Sequence, residues 1–264
     1  MTDRPSLGTL YGVGVGPGAP DLLTLRAVET LRKADVLALP RSNDYGLSMA
    51  WRIAAPSVGD VAGQERIFLT FPMSKDPARL RPAIEAACAA IAERLSRGQS
   101  VAFATEGDPG LYSTFIYVRQ AISALLPGVP VEIVPGVSSV MAVPAMVGAA
   151  LADGQERIAI LPGNYGVEDL AEVLERFDTT VLMKIGPEIP SVLAALERAG
   201  LVEKAVYVSK ATMPEQRIER DVRRVAAERG DCFAMMIISR RQRSGVLVGE
   251  VPFSPPDFAA EAGA

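Results

Sequence analysis

The stretch GVGVGPGAPDLLTLRA, Gly12 to Ala27, sets the reading of the whole chain. An apolar run passes through a glycine-rich turn into an amphipathic segment, the strand–turn–helix order that opens many nucleotide-binding folds. Gly14-x-Gly16-x-x-Ala19 formally fits the dinucleotide fingerprint, with Arg41 past the next apolar run as a partner for a ribose phosphate. The fit is poor in one physical respect. In that fingerprint the helix begins inside the glycine run, so that free N–H groups meet the pyrophosphate. Here Pro17 and Pro20 remove two of those donors. A Gly-Pro-Gly turn is stiff and suits the wall of a pocket better than a phosphate cradle. The plain alternative is a tight turn with no ligand.

Outward from this turn, apolar and amphipathic segments alternate. Strands are predicted near 7–15, 35–39, 65–70, 99–104 and 131–134, with helices near 20–33, 46–56, 77–97 and 112–126. The clearest helix is 77–97: Leu80, Ile84, Cys88, Ile91 and Leu95 form one stripe, and Gly98 stands where a helix ends. A second set follows, with strands near 157–161, 179–185, 204–209 and 233–239 and helices near 138–149, 167–177 and 188–199. Nine strands separated by helices predict an α/β protein of two α/β domains with mainly parallel or mixed sheets. The boundary is placed at 136, giving domains 1–136 and 137–250 and a Pro- and Ala-rich tail, 251–264.

Composition narrows the chemistry. The 264 residues are 49% hydrophobic and 22% charged, enough to bury sizeable cores. A net charge of −4 gives no reason to expect nucleic acid. No apolar run approaches the roughly 20 residues of a membrane span, and no signal-peptide core follows the first charges, so a cytoplasmic protein is expected. Two cysteines, Cys88 and Cys232, are too few for a disulfide framework or a zinc site. The sequence has no histidine, which excludes a Ser-His-Asp triad, a His-ligated metal and a His general base.

In open α/β sheets ligands lie at the carboxyl ends of strands, so the loops there are read together. After the fourth predicted strand comes TEGDPGLYSTF, 105–115, with Glu106 and Asp108 flanking Gly107. Two acids repel phosphate and suit a cationic or hydroxyl-rich ligand; alone, they are equally a helix start stabilised by its acids. VPGVSS, 134–139, places Ser138 and Ser139 at a helix start, where a plain N-cap is the bland alternative. Gly186-Pro187 and KATMPEQR, 210–217, follow two later strands.

Taken together, GVGPGAPDLLTLRA, EGDPGLYSTF, VPGVSS and ATMPEQR resemble, in register from about residue 8 to 240, the motif series of the tetrapyrrole methylases, the class III S-adenosylmethionine-dependent methyltransferases. The STF after GDPGLY, LPGN at 161–164 and VLMKIG at 181–186 are most similar to the branch that methylates C-20 of precorrin-2, giving precorrin-3A, in cobalamin biosynthesis. The resemblance implies two α/β domains with the cofactor between them, a homodimer, S-adenosylmethionine as methyl donor with S-adenosylhomocysteine as product, and no metal. It carries cofactor contacts onto Pro17, Glu106, Gly107, Asp108, Leu111, Ser138, Ser139, Ile185, Ala211 and Thr212. The sequence departs from the pattern twice: Glu106 stands where relatives often have Gly, and Ile185 where Met is frequent.

A histidine-free protein suits this chemistry. The sulfonium leaving group is already cationic, so alignment and exclusion of water carry the reaction. The substrate is a polycarboxylate, so local cations must collect on an acidic protein. Arg41, Arg52, Lys75, Arg79 and Lys184 are the candidates, and a solvated surface charge is the ordinary alternative for each. No residue is assigned as catalytic. Other open readings are the cobalt-containing form of the substrate, a methylase for another ring carbon, an NADP-dependent oxidoreductase, and a regulator that binds S-adenosylmethionine without catalysis.

Overall fold

A computed structural model describes residues 6–43, 45–72, 74, 76–163, 169–225 and 233–241. They form two compact units. The first holds the chain to Val143 together with Lys210–Gln216, and the second holds Pro144–Ser209 and the chain from Arg217. The expected boundary at 136 thus moves to Val143, inside a helix, and the short excursion 210–216 carries no compositional break that would mark it.

The first unit is built on a five-stranded, wholly parallel sheet of order β3-β2-β4-β1-β5. The strands are β1 Leu10–Gly14, β2 Val36–Arg41, β3 Glu65–Thr70, β4 Val101–Thr105 and β5 Val131–Val134. The helices are α1 Leu25–Lys33, α2 Met49–Val58, α3 Pro77–Ser96 and α4 Phe115–Leu125. Alternation along the strands splits the core into two layers. Val13, Leu37, Leu39, Ala102 and Ala104 pack with α1 and α2, while Leu10, Val36, Ala38, Val101 and Phe103 pack with α3 and α4. Burial on both faces is why these strands read as continuous apolar runs. The α3 stripe buries Cys88, Ile91 and Leu95 as the spacing predicts, each large side chain contributing about 1.5–3 kcal/mol. Gly12 lies under α4, where a Cβ would fall 2.2 Å from the Phe115 ring.

The second unit carries a mixed sheet of order β6-β7-β10-β8-β9. Its strands are β6 Ile158–Pro162, β7 Thr179–Met183, β8 Ala205–Ser209, β9 Arg217–Glu219 and β10 Ala234–Ser239. β6 and β7 are parallel; β10 runs antiparallel to β7 and β8, and β9 antiparallel to β8. The helices α6 Leu170–Arg176 and α7 Ile189–Ala199 close one core with Leu182, Tyr207, Met236 and Ile238. α5, Ser139–Val147, runs across the division of the chain. Ten strands thus occur among the described residues where nine were expected; β9 is three residues long and too polar to show a pattern. The helix expected at 20–33 is broken into a 3-10 turn, Pro20–Leu22, and α1, because Leu23 and Thr24 are extended. Among the described residues no helix is long and apolar enough to cross a membrane. The predicted tail, 251–264, lies outside the described residues.

Candidate active site

In the first sheet β1 and β4 are neighbours, but the helices that follow them, α1 and α4, lie on opposite faces. Such a switch point opens a crevice at the carboxyl ends of the strands. Three loops meet there, and they meet through backbone. Gly16 and Gly107 form an antiparallel bridge: the Gly107 N–H donates to the Gly16 carbonyl at 2.8 Å and the Gly16 N–H to the Gly107 carbonyl at 3.3 Å. A Cβ on Gly14 would lie 2.6 Å from the Gly107 oxygen, and one on Gly136 would lie 2.1 Å from it. Only glycine lets these chains approach so closely.

Asp108 ties the junction together. Its Oδ1 accepts the Gly110 N–H at 2.8 Å and its Oδ2 accepts the Gly136 N–H at 3.0 Å. The carboxylate therefore closes its own loop and joins it to the VPGVSS turn. Both oxygens of Asp108, an expected ligand contact, are engaged with backbone. Ser138 is the start of α5: its Oγ accepts the Val140 N–H at 3.2 Å, and its carbonyl accepts from Met141 and Ala142. Behind the loops, buried Thr105 and Ser113 share a hydrogen bond of 2.9 Å, and Ser113 Oγ accepts the Phe115 N–H at the start of α4.

The opening turn is no phosphate cradle. α1 begins only at Leu25, with Thr24 Oγ1 accepting the Ala27 N–H at 3.1 Å. Pro17 is buried. The Ala19 N–H, one of two donors left between the prolines, points at Thr212 Oγ1 at 2.9 Å. Thr212 comes from the 210–216 excursion, whose Met213 packs into the α1–α2 layer and whose Glu215 pairs with Arg52 at 2.5 Å.

The first unit thus brings together Pro17, Glu106, Gly107, Asp108, Ala211 and Thr212, with Leu111, Ser138 and Ser139 on the same loops. Lys184 and Ile185 belong to the second unit, at the end of β7. The Ile185 side chain is wholly buried in that unit's core, its N–H donates to the Ala234 carbonyl at 3.3 Å, and its carbonyl accepts the Glu188 N–H at 2.8 Å. Of the candidate cations, Arg41 stacks on Phe68 at 5.5 Å and donates to Thr70 Oγ1 at 3.2 Å, and Arg52 is held by Glu215. Arg79 is exposed on α3, and Lys75 lies outside the described residues.

Backbone strain marks the same loops. Among the described residues, four non-glycines adopt left-handed backbone: Tyr112 (φ 50°), Lys184 (φ 56°), Lys210 (φ 48°) and Thr212 (φ 65°). All four follow the carboxyl ends of strands. Each conformation costs roughly 1–2 kcal/mol for an L-residue, and such strain concentrates at functional sites. Sequence patterns do not show backbone angles, so this signal was invisible in the chain. Burial also pushes the Tyr112 phenol upward in pKa. Among the described residues no group of three or more His, Cys, Asp or Glu side chains is placed to hold a metal.

The chain is 34% identical over 237 residues to the cobalt-precorrin-2 C(20)-methyltransferase of Salmonella typhimurium, covering 89% of this chain and 97% of that one. It is 31% identical over 215 residues to the precorrin-2 C(20)-methyltransferase of a Sinorhizobium species, covering 78% and 85%. Among solved structures it is similar to cobalt precorrin-4 methyltransferase, a cobalamin biosynthetic enzyme, with a TM-score of 0.70 and 25% identity over 90% of this chain and 98% of that one. The profile of the tetrapyrrole (corrin/porphyrin) methylases matches residues 9–226, and the chain belongs to that family.

Proposed function

We propose that this protein transfers a methyl group from S-adenosylmethionine to C-20 of precorrin-2, in cobalamin biosynthesis. The observation that carries the reading is the likeness along nearly the full length of relatives named for that reaction. The cobalt-containing substrate is the second reading, and the name of the Salmonella relative favours it.

The chemistry of the loops fits the methyl donor. It carries ammonium and sulfonium charges and no phosphate, and it supplies an activated methyl when bound. The glycine junction of Gly14, Gly107 and Gly136 gives a wall of bare backbone, and half-buried Glu106 stands beside it. The helix terminus a dinucleotide would need is set back to Leu25, which removes the ground for an NADP-dependent enzyme. Pro17, Glu106, Gly107, Asp108, Leu111, Ser138, Ser139, Ile185, Ala211 and Thr212 are the proposed surroundings of the donor. Arg41, Arg52, Lys75 and Lys184 are proposed for the substrate carboxylates, with Arg52 acting only after exchange from Glu215. The protein's part is to hold nucleophile, methyl and sulfur in line and keep water out, which contributes up to about 7–11 kcal/mol. A cytoplasmic homodimer is the proposed working form.

Anaerobic incubation with S-adenosylmethionine and either precorrin-2 or cobalt-precorrin-2 tests this. One added methyl with one equivalent of S-adenosylhomocysteine supports the reading, and the preferred substrate chooses between its two forms. Release of no S-adenosylhomocysteine with either would overturn it.

A further inference from the structure

Thr212 presents a contradiction that its neighbours resolve. At φ 65° it holds a conformation that β-branched residues avoid and glycine adopts freely. A glycine there would relieve the backbone but would carry no hydroxyl. The retained side chain has one assigned hydrogen bond among the described residues, accepting the Ala19 N–H at 2.9 Å. Ala19 lies between Pro17 and Pro20, neither of which has an N–H to anchor the turn.

The rest of the excursion is built to hold that hydroxyl in place. The Thr212 N–H donates to Gln216 Oε1 at 2.7 Å, the Met213 N–H to the Lys210 carbonyl and the Gln216 N–H to the Met213 carbonyl, both at 3.0 Å. Met213 is buried in the α1–α2 layer, and Glu215 is paired with Arg52 of α2. The fit on the other side is equally close. A Cβ on Gly18 would stand 2.6 Å from Met213 Cγ, 2.7 Å from the Ala211 oxygen and 2.8 Å from Thr212 Oγ1. Turn and excursion are therefore closely shaped to each other.

We propose that Thr212 is a positioning residue: its hydroxyl presets the Pro17–Ala19 turn, and it acts on the methyl donor through that backbone. The proposal rests on the reading of this crevice as the donor site. It differs from a direct-contact role in what the free protein does. A direct contact matters only when ligand is present; a preset turn is preset in its absence.

The experiment compares Thr212→Val, which keeps the shape and loses the acceptor, with Thr212→Ser, which keeps the hydroxyl. Hydrogen exchange of the Ala19 amide is measured on the free full-length protein. S-adenosylhomocysteine affinity is measured by calorimetry, and kcat and KM for S-adenosylmethionine are measured with the tetrapyrrole. In Thr212→Val the Ala19 amide should exchange about tenfold faster, the affinity should fall by about the same factor, and KM should rise while kcat changes little. Thr212→Ser should restore all of these. Unchanged Ala19 exchange with weakened binding would show direct contact and overturn the proposal. Faster exchange with unaltered affinity would overturn it as well. If the wild-type protein binds no S-adenosylhomocysteine, the donor reading fails instead, and Ala19 exchange still reports whether the hydroxyl holds the turn. Should Thr212→Val not fold, Gly18→Ala strains the same junction from the other side, and the same correlation between exchange and affinity is required of it.

Discussion

The two units solve the same problem with different backbones. In the first, five parallel strands send all their carboxyl ends to one edge, and the loops there come together on Gly14, Gly16, Gly107 and Gly136. In the second, β6, β7 and β8 run one way and β9 and β10 the other, and the turn after β7 holds Lys184 in left-handed backbone; the first unit's left-handed non-glycines, Tyr112, Lys210 and Thr212, stand in the loop after β4 and in the excursion after β8. Glycine takes such geometry without strain and contributes bare backbone. A lysine or threonine takes it at a cost and contributes a charge or a hydroxyl. The difference teaches where this molecule spends strain: at positions where a side chain is worth keeping. Four experiments can break that contrast and a fifth sharpens the chemistry, in falling order of expected effect.

Gly136→Ala attacks the first unit's solution directly. Its Cβ would land 2.1 Å from the Gly107 oxygen and 2.8 Å from Gly14, among backbone atoms that cannot rotate away. Overpacking of this kind costs typically 1–3 kcal/mol, and the upper end is expected here because no flexible side chain can yield. Urea denaturation should show the lowered midpoint, with S-adenosylhomocysteine binding lost. A wild-type midpoint would mean the three loops are not as tightly joined as they stand.

Asp108→Ala comes next. It leaves the Gly110 and Gly136 N–H groups without their carboxylate, each such charge-assisted bond being worth roughly 1.5–3 kcal/mol. Stability and S-adenosylhomocysteine affinity should fall together. A loss of affinity at unchanged stability would show that Asp108 acts on the ligand directly. Lys184 probes the second unit's solution. Lys184→Gly should raise stability by about 1 kcal/mol through relief of the left-handed backbone, and Lys184→Ala should not. Both should raise the tetrapyrrole KM severalfold and leave donor affinity intact, with the loss shrinking at high salt, where exposed charges are screened within about 8 Å.

Each unit also has an acid-sensitive clasp. Arg94 holds the Glu65 carboxyl below its ordinary range, and the Arg157 N–H with Arg241 does the same for Asp178. A lowered folded pKa means stability that is present above the unfolded value, about 4.3 for Glu and 3.9 for Asp, and is lost as pH falls through the folded value. Glu65→Gln and Asp178→Asn should therefore lower Tm slightly at about pH 6, and by less as the pH falls through the folded values, since exposed ion pairs contribute little. An equal loss across that range would mean the side chains act by packing. The last measurement should show no effect at all. Burial raises the Tyr112 phenol, so it stays protonated near neutrality, and the chain has no histidine. Single-turnover methyl transfer should be flat from about pH 6.5 to 8, where carboxylates are ionised and lysines protonated. Two limbs inside that window would reveal an acid–base pair, with Glu106, Asp108 and Tyr112 the first to mutate.

By itself the sequence determined the α/β class, nearly every strand and helix, the glycine turn as something other than a phosphate cradle, and the family. These are local matters: periodicity, proline's missing donor and short motifs are written in consecutive residues. What it did not carry is which partners those residues take. That Asp108 serves backbone, that Ile185 is core, that Arg52 is held by Glu215 and that Thr212 reaches Ala19 were decided by residues from 28 to 193 positions away or by burial. The excursion 210–216 shows why. Its composition is that of an ordinary loop, yet Met213 packs in one core while the strands on either side of it build the other. Chain order fixes which elements form; only closing the sheets decides which loop ends stand within hydrogen-bonding distance, because that depends on strand order, and strand order has no local signature.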